Sequence, residues 1–237
     1  MWSSGRSEAS LEASFPVPIE IRTIRNARRL RLRFDDGSGT LKLTCPPRTS
    51  RRKALAWALD QREWIDAQLA RAETAVPFEP DAVIPVEGAE TKLVWAEGLP
   101  RTPAFAAGEL RCGGPVVGFS RRVETFLKRR ALDVMSREAA EYALKSGVAI
   151  ASISVGDAGS RWGSCSSQGR VRLSWRLILA PPYVLDYLAA HEVAHLVEMN
   201  HSARFWRVVG RACGHVERAK NWLDTHGNDL HRYGVED

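Results

Sequence analysis

Polar and apolar residues alternate along the first part of the chain in a pattern that is typical of β-strands. The alternation has a period of two over residues 19–22 and 29–34, and it resumes over residues 40–44. Residues 35–39, Asp-Asp-Gly-Ser-Gly, have the composition of a tight turn. This pattern predicts a β-hairpin over residues 29–44 with one buried face.

The next segment changes from strand to helix periodicity. Pro46 and Pro47 end the last strand, and Ser50 is placed to cap a helix. Apolar residues then recur three or four positions apart from residue 51 to residue 73. We expect one amphipathic helix there.

Glycine and proline divide the remaining sequence into short segments. Three strand-like runs occupy residues 83–86, 91–95 and 109–112. Gly113-Gly-Pro115 follows them and is the expected domain boundary. We therefore predict three regions, a disordered polar tail, a β-rich N-terminal region and a second domain, over residues 1–14, 15–114 and 115–237.

The second domain is predicted to mix helices and strands. A long amphipathic helix begins near Ser120, and Gly147 is placed to end it. A strand, a turn-rich loop and a second strand follow over residues 148–155, 160–169 and 170–175. Pro181 and Pro182 then open another helix, at a position where proline is tolerated. The chain as a whole is therefore assigned to the α+β class.

Composition restricts the class of protein further. The 237 residues include 34 basic and 28 acidic side chains, and 44% of them are hydrophobic. These values are typical of a globular protein and exclude a disordered polycation. No run approaches the roughly 18 apolar residues of a membrane span, and residues 1–14 lack the apolar core of a signal peptide. We expect a cytoplasmic protein with no membrane partner.

Cysteines and histidines are distributed very differently. The four cysteines lie far apart, which indicates free thiols instead of a disulfide framework or a cysteine zinc knuckle. All six histidines fall within the last 47 residues. Composition therefore directs attention to the C-terminal part of the chain.

Two of these histidines have the spacing of a metal site. His191 and His195 are four residues apart in the sequence His-Glu-Val-Ala-His, so on a helix both imidazoles face the same way. His201 follows six residues later and is the expected third ligand. Glu217 or His215 are alternatives for that third position.

A third ligand at this spacing requires the helix to end first. We expect the chain to turn around Met199 and Asn200, because asparagine tolerates left-handed backbone angles. Ser202 is then placed to cap a helix over residues 203–213, which Gly214 closes.

Three histidine ligands without a cysteine are typical of a catalytic zinc site, which leaves the fourth position to water. The ion lowers the pKa of that water and polarises a carbonyl group. Glu192, next to the first ligand, is placed to accept the proton of the water and to pass it to the leaving amine. The sequence therefore predicts a zinc-dependent peptidase with one Zn²⁺ per chain and a peptide or protein substrate.

The motifs also resemble a known family. The segments that carry the resemblance are residues 160–165 (Ser-Arg-Trp-Gly-Ser-Cys), 175–181 (Trp-Arg-Leu-Ile-Leu-Ala-Pro), Tyr187, 191–195 and 200–206 (Asn-His-Ser-Ala-Arg-Phe-Trp). In these segments the chain is similar to the YgjP-like metallopeptidases, which are relatives of the SprT-like and WLM domains in the zincin clan. The resemblance implies a zincin-type α+β fold with an H-E-x-x-H helix. It also implies zinc ligation by His191, His195 and His201, with Glu192 as the general base.

Two positions depart from related patterns. Glu198 stands where metzincins have glycine, and no Met-turn follows, which argues against membership of that group. Ser174 stands where the YgjP-like pattern has asparagine. Any contact that the family makes through that side chain is therefore not carried over.

The resemblance suggests two substrate-binding segments. Arg161 and Trp162 belong to an element beside the catalytic helix, which either contacts the substrate or has a structural role, and Gly163 would allow close backbone approach there. Zincins bind the substrate as an additional strand at an exposed sheet edge, and the strand that contains Val171 and Leu173 is our candidate for that edge.

Other roles stay open at this point. A group must stabilise the negative charge that develops on the cleaved carbonyl, and Arg161, His226, His231 and Tyr233 are all candidates. Cys165 could ligate zinc and hold an inactive form, or it could be a buried structural thiol.

Basic residues suggest a second function. A cationic strip on the hairpin (Arg29, Arg31, Arg33 and Lys42) and the basic first turns of the long helix could bind nucleic acid while the metal is structural. Solvated faces of sheets and helices normally have such charges as well. A hybrid is a protease that acts on DNA-bound proteins, as SprT-like relatives do. The net charge is +2 over residues 1–120 and +4 over the remainder, so neither half is a concentrated polycation.

Overall fold

The structure is a computed structural model that describes residues 7–35, 38–73, 75–157 and 161–234. The chain divides into two units, one up to Ala75 and one from Val76 to Gly234. Each unit has its own hydrophobic core.

The first unit contains one small sheet and three helices. The strands are β1 (Ile19–Thr23), β2 (Arg31–Asp35) and β3 (Thr40–Cys45), and the helices are α1 (Glu8–Glu12), α2 (Arg51–Leu59) and α3 (Arg62–Glu73). β2 and β3 pair antiparallel, which confirms the predicted hairpin, and β1 pairs parallel to β3 on its other side. The single helix predicted over residues 51–73 is two helices, because α2 ends at Leu59.

Part of the predicted disordered tail is helical. Ser7 caps α1 by accepting a hydrogen bond from the Ser10 amide, and Leu11 and Phe15 are buried in the first core. These two apolar side chains hold the segment against the core, although its polar composition predicted a disordered tail. Residues 1–6 lie outside the described residues.

The second unit begins with a four-stranded sheet. Its strands are β4 (Val83–Val86), β5 (Ala89–Trp95), β6 (Ala104–Ala106) and β7 (Glu109–Cys112), in the order β4-β5-β7-β6. This confirms the three strand segments predicted there and adds the short β6.

A long helix, a second sheet and five further helical segments follow among the described residues. They are α4 (Phe119–Ser146), β8 (Ser152–Gly156), β9 (Gly163–Cys165), β10 (Arg170–Ser174), a 3-10 helix (Trp175–Leu179), α5 (Pro182–Ala194), α6 (Ala203–Ala212), α7 (Val216–His226) and a second 3-10 helix (Gly227–Arg232). Gly147 ends α4 with a left-handed backbone (φ +66°), as its position predicted. No helix among the described residues is both long and apolar enough to cross a membrane.

The predicted domain boundary between residues 114 and 115 lies inside the second unit. Ile84 and Leu110, from the four-stranded sheet, share one core with Leu127 of α4 and Ala189 of α5. Gly113 is a close-packing glycine instead of a linker residue, because a Cβ there would lie 2.2 Å from the Leu99 carbonyl oxygen. Sequence alone cannot separate these two uses of glycine.

The second sheet corrects the expected substrate edge. Its order is β8-β10-β9, so β10 has a strand on each side and offers no free edge. Val171 and Leu173 are each 1% exposed and belong to the core. The edge next to β10 is β9, a strand that lies within the predicted turn-rich loop 160–169, of which residue 160 is outside the described residues.

Candidate metal centre

Helix α5 places the H-E-x-x-H motif inside the second unit. Pro182 occupies its first turn, as predicted, and nine of its thirteen residues are buried. A helix that is apolar nearly all round runs through a core. This placement takes Glu192 into the interior, where the carboxylate is only 4% exposed.

The three histidines of the motif converge. The Nε2 atoms of His191 and His201 lie 3.1 Å apart, and one ligand nitrogen from each of His191, His195 and His201 lies within 4.8 Å of the others. The three rings are 4.7–5.1 Å apart between centroids. The geometry thus brings together the three residues that the spacing singled out.

His201 reaches the site because the chain leaves the helix earlier than expected. α5 ends at Ala194, with His195 as the C-cap, and the chain then runs through turns to Asn200. Asn200 does not adopt a positive φ, which corrects the expected left-handed turn; its side-chain oxygen accepts a hydrogen bond from the Ser202 amide at 3.1 Å. Ser202 caps α6 as predicted, through Phe205 N–H.

Neighbouring groups hold the imidazole rings in place. Nδ1 of His195 lies 3.3 Å from the carbonyl oxygen of Glu198, and Nδ1 of His191 lies 3.4 Å from the hydroxyl of Tyr187. Each contact engages the Nδ1 side of a ring and leaves Nε2 directed at the common centre. The ring of Phe205 packs against all three imidazoles at 4.6–4.9 Å between centroids.

Burial sets the protonation of the histidines. Burial, together with the neighbouring imidazoles of His195 and His201, lowers the pKa of His191 to about 4. Burial also lowers the pKa of His195. Both rings are therefore neutral near pH 7, which is the form that binds a metal ion.

Glu192 is a buried carboxyl group beside this cluster. Burial raises the pKa of Glu192 to about 7, although the charge of Arg161 acts in the opposite direction. Its Oε2 atom is fully buried and has no hydrogen-bond partner among the described residues. A buried oxygen without a partner is costly unless it serves a ligand or reactant.

Gly163 of β9 makes room for this carboxylate. A Cβ at Gly163 would lie 2.3 Å from Oε1 of Glu192, so no larger residue fits without displacing the carboxylate. This is the close backbone approach that the sequence suggested. Arg161 and Trp162 lie on the same segment, and they line a cavity of about 150 Å³ together with Gly163, Ser164 and Arg172.

The other predicted candidates are distributed around the unit. Trp162 stacks on His231, with ring centroids 5.1 Å apart. His226 packs against Trp222 at 5.4 Å, and the backbone carbonyl of Tyr233 accepts a hydrogen bond from Arg176. These contacts give structural roles to three of the four candidates for charge stabilisation.

The alternatives for the third ligand lie elsewhere. Glu217 is 3.3 Å from the ammonium group of Lys220, and His215 is 2.8 Å from the carboxylate of Asp186. Cys165 lies near Glu192, and burial, followed by the charge of Glu192, raises the pKa of its thiol to about 11. That thiol is protonated near pH 7 and is not grouped with the three histidines.

Sequence reasoning missed Phe205, which is fully buried under the three rings. It lies in the first turn of α6, three residues after the Ser202 cap, so its position on the inner face of α6 was readable from the spacing. Its contact with all three imidazoles was not readable, since α5 and α6 come together only through the tertiary fold.

The chain is similar to known proteins in sequence and in structure. The chain matches the family described as "YgjP-like, metallopeptidase domain" over residues 28–226. It is similar to the crystal structure of the metallopeptidase zymogen of Pyrococcus abyssi abylysin, with 23% identity and a TM-score of 0.36, over 43% of this chain and 99% of that chain. No curated protein matches the chain.

Proposed function

The chain belongs to the YgjP-like metallopeptidase family, and we propose that it is a zinc-dependent peptidase in which His191, His195 and His201 hold the metal and Glu192 is the general base. The observation that carries the proposal is the convergence of three imidazole nitrogens beside a buried carboxylate whose Oε2 has no partner. Peptides or proteins are the substrate.

The donor set fits a zinc ion. Three imidazoles, with no thiolate among them, are a common protein ligand set for catalytic zinc, and the outer nitrogens of His191 and His195 are already engaged by Tyr187 and Glu198. His201 is exposed, so the cluster is accessible from solvent on the side of α6. A substrate can therefore approach without rearrangement of the core.

Glu192 performs the proton transfers in this proposal. When bound, zinc supplies Lewis-acid activation of a water molecule and of the scissile carbonyl group. Glu192 accepts a proton from that water and delivers it to the amine that leaves. Burial favours both transfers, because it raises the pKa of the Glu192 carboxyl group to about 7, and near neutral pH such a group can both accept and release a proton.

Strand β9 provides the edge for the substrate. Ser174 N–H donates to the Trp162 carbonyl, and Ser166 N–H donates to the Arg170 carbonyl. In an antiparallel pair these bonded positions alternate with unbonded ones, so the N–H and C=O groups of Gly163 and Cys165 point away from β10. A peptide that pairs with these groups runs beside Glu192.

Arg161 is our choice for stabilising the negative charge on the cleaved carbonyl. Its charge reaches Glu192, and it lines the cavity next to Gly163. Among the four residues that the sequence left open, it is the one whose charge acts on the general base.

Nucleic-acid binding stays a separate prediction. In the hairpin of the first unit, Arg33 and Lys42 both contact the carboxylate of Asp35, which offsets part of the positive charge of the strip, while Arg29 and Arg31 are exposed. Measuring the affinity for duplex DNA at low and moderate salt tests the strip, since binding through phosphates weakens steeply with salt. Absence of binding at low salt would exclude this function.

The decisive test of the proposed function combines metal analysis with cleavage. Glu192→Gln keeps the shape of the side chain but removes the base, so it should retain zinc and lose about 10²–10⁴-fold in turnover. Glu217→Gln is the matched control, because Glu217 is exposed and its carboxylate pairs only with Lys220 among the described contacts. A library of peptides digested by wild type and by each variant provides the readout. Undiminished cleavage by Glu192→Gln would contradict the mechanism.

A further inference from the structure

A second group of metal-binding side chains lies on the other side of α5. One ligand atom from each of Asp186, Cys213 and His215 lies within 4.8 Å of the others. Asp186 is on α5, whereas Cys213 is the C-cap of α6 and His215 the N-cap of α7. None of the three takes part in the proposed peptidase chemistry.

The contacts within the group differ from an ordinary hydrogen-bonded network. Nε2 of His215 lies 2.8 Å from Oδ2 of Asp186, yet this buried nitrogen makes no hydrogen bond of good geometry among the described residues. The thiol of Cys213 approaches the same oxygen at 3.8 Å. One ligand atom from each of the three side chains thus lies near a common point, and Nε2 of His215 is not satisfied by its nearest neighbour, Oδ2 of Asp186.

Surrounding side chains fix two of the three ligands. The hydroxyl of Tyr142 donates to Oδ1 of Asp186 at 2.7 Å, which leaves Oδ2 directed at the group. The ring of Tyr183 packs edge-on against His215 at 5.9 Å, and the guanidinium of Arg218 lies over Tyr183 at 4.0 Å. Such outer contacts orient ligands in metal sites.

The separations suit a small tetrahedral ion. Zinc bonds of about 2.0–2.3 Å at tetrahedral angles place ligand atoms roughly 3.3–3.8 Å apart. The Cys213–Asp186 distance of 3.8 Å already matches, and the Asp186–His215 distance of 2.8 Å requires the two groups to open by less than about 1 Å. The ligand atoms are therefore close to a binding arrangement before any ion enters.

The chemistry of the ligands selects the kind of ion. A thiolate with an imidazole favours zinc and similar borderline cations over Mg²⁺ and Ca²⁺, which prefer oxygen ligands. Asp186 and His215 line a cavity of about 300 Å³, together with Arg137 and Glu138. This cavity provides an entry path and room for a fourth ligand from water.

We propose that Asp186, Cys213 and His215 form a second metal site, which binds Zn²⁺ or a similar divalent cation and fastens the α6–α7 turn to α5. The chain then binds two metal ions instead of the one that the sequence predicts. Because α5 also contributes His191 and α6 follows His201, the second ion stabilises the helices that bear the first site.

Cobalt substitution separates the two sites. The first site has only nitrogen ligands, so a thiolate-to-cobalt charge-transfer band in the near ultraviolet reports the cysteine site alone. The purified full-length chain is stripped with a chelator and reloaded with Co²⁺ or Zn²⁺, and metal content is measured after removal of free ion. We expect about two equivalents per chain and a charge-transfer band.

Three variants assign the band. Cys213→Ser and His215→Ala should each lose the band and reduce the content from about two equivalents to about one. Cys165→Ser, which alters the thiol nearest Glu192, should retain both. His191→Ala should retain the band and lose the other equivalent, so the second site is observed even if the peptidase proposal fails.

The metal content and the charge-transfer band of the wild-type chain test the proposal even if a variant does not fold. A folded wild-type chain that binds one equivalent without a charge-transfer band would overturn the proposal. A band that disappears in Cys165→Ser and persists in Cys213→Ser would overturn it as well, since the thiolate would then belong to the first site. Near-ultraviolet circular dichroism establishes folding in each case.

Discussion

The backbone of Gly163 lies against the carboxylate of Glu192 so closely that a single added carbon would overlap it. A Cβ on Gly163 would be 2.3 Å from Oε1 of Glu192, 2.7 Å from Cδ and 2.8 Å from Cγ. Real Cβ atoms do not approach other atoms this closely, so the whole carboxyl group would have to move. The edge strand β9 and the proposed general base are therefore positioned by the same contact.

Gly163→Ala should impair catalysis without removing the metal. The three atoms nearest the new methyl group all belong to Glu192, so the substitution acts first on that carboxylate, and a displacement of about 1 Å can lower turnover about 10²-fold. We expect kcat to fall by that order while zinc content stays at the wild-type level. Peptide cleavage and metal analysis of the same preparation give the two readouts.

A second glycine provides the control for this substitution. Gly210 of α6 has no atom within 4 Å of an added Cβ, so Gly210→Ala should keep wild-type activity. If Gly163→Ala were as active as Gly210→Ala, Glu192 could not be the base in the position that the structure gives it.

His201→Ala tests the third ligand. His201 Nε2 faces His191 Nε2 at 3.1 Å, and loss of a direct ligand should weaken zinc binding by more than the 10–100-fold typical of outer contacts. Titration of zinc against a competing chelator measures the affinity. Glu217→Ala, at the rejected alternative, should bind zinc as wild type does; weakened binding in that variant alone would reassign the ligand.

The local parts of the site could be read from the sequence. The spacing of His191 and His195 on a helix, the Ser202 cap and the Pro182 start depend on residues a few positions apart, and each is found where the periodicity placed it. Membership of the YgjP-like family could also be predicted from short sequence motifs. Such features need only helix geometry and capping chemistry.

The error about the substrate edge concerns a relation between distant segments. Residues 163–165 were expected in a loop, because a three-residue strand rich in small side chains has no alternating pattern. That omission left β10 as the expected edge, although β8 and β9 flank it. Pairing order is decided by contacts across the sheet, which no local pattern reports.

The ion pair between Arg176 and Asp157 should control stability at acid pH. Arg176 is buried; it donates to both carboxylate oxygens of Asp157 at 2.9 Å and to the carbonyl of Leu230 at 3.1 Å. Burial acts to raise the pKa of Asp157, but the bonds to Arg176 outweigh it and hold the pKa below its usual value. While Asp157 is ionised, the pair fastens the first 3-10 helix to the end of β8, and the same guanidinium group bonds to the second 3-10 helix at Leu230.

Asp157→Asn should therefore destabilise the protein by about 1–3 kcal/mol at neutral pH. A lowered carboxyl pKa contributes stability above the usual value of about 3.9, and that contribution is lost as the pH falls through the folded-state pKa. The difference between variant and wild type should therefore shrink at the acid end. Denaturant unfolding at several pH values measures it.

An exposed pair serves as the reference for that measurement. Asp81 lies 2.7 Å from Lys92, but both side chains are largely solvated, so Asp81→Asn should change stability by less than about 1 kcal/mol. An equal loss in both variants, or a pH-independent loss in Asp157→Asn, would show that the pair of buried Arg176 with Asp157 is not the source.

The last prediction concerns the N–H group of Cys165 at the open edge of β9. Proline at this position removes a donor that points away from β10, and edge strands tolerate proline where the N–H faces outward. If a substrate pairs with β9, Cys165→Pro loses one hydrogen bond, and KM should rise about threefold to tenfold with a smaller change in kcat.

Two control variants test whether this N–H group is responsible. Cys165→Ser keeps the N–H and should keep the wild-type KM. Ser164→Pro removes a bond to β10 instead and should lower the free energy of unfolding. A KM that is unchanged in folded Cys165→Pro would place the substrate away from this edge, because nothing else in the proposal depends on that N–H group.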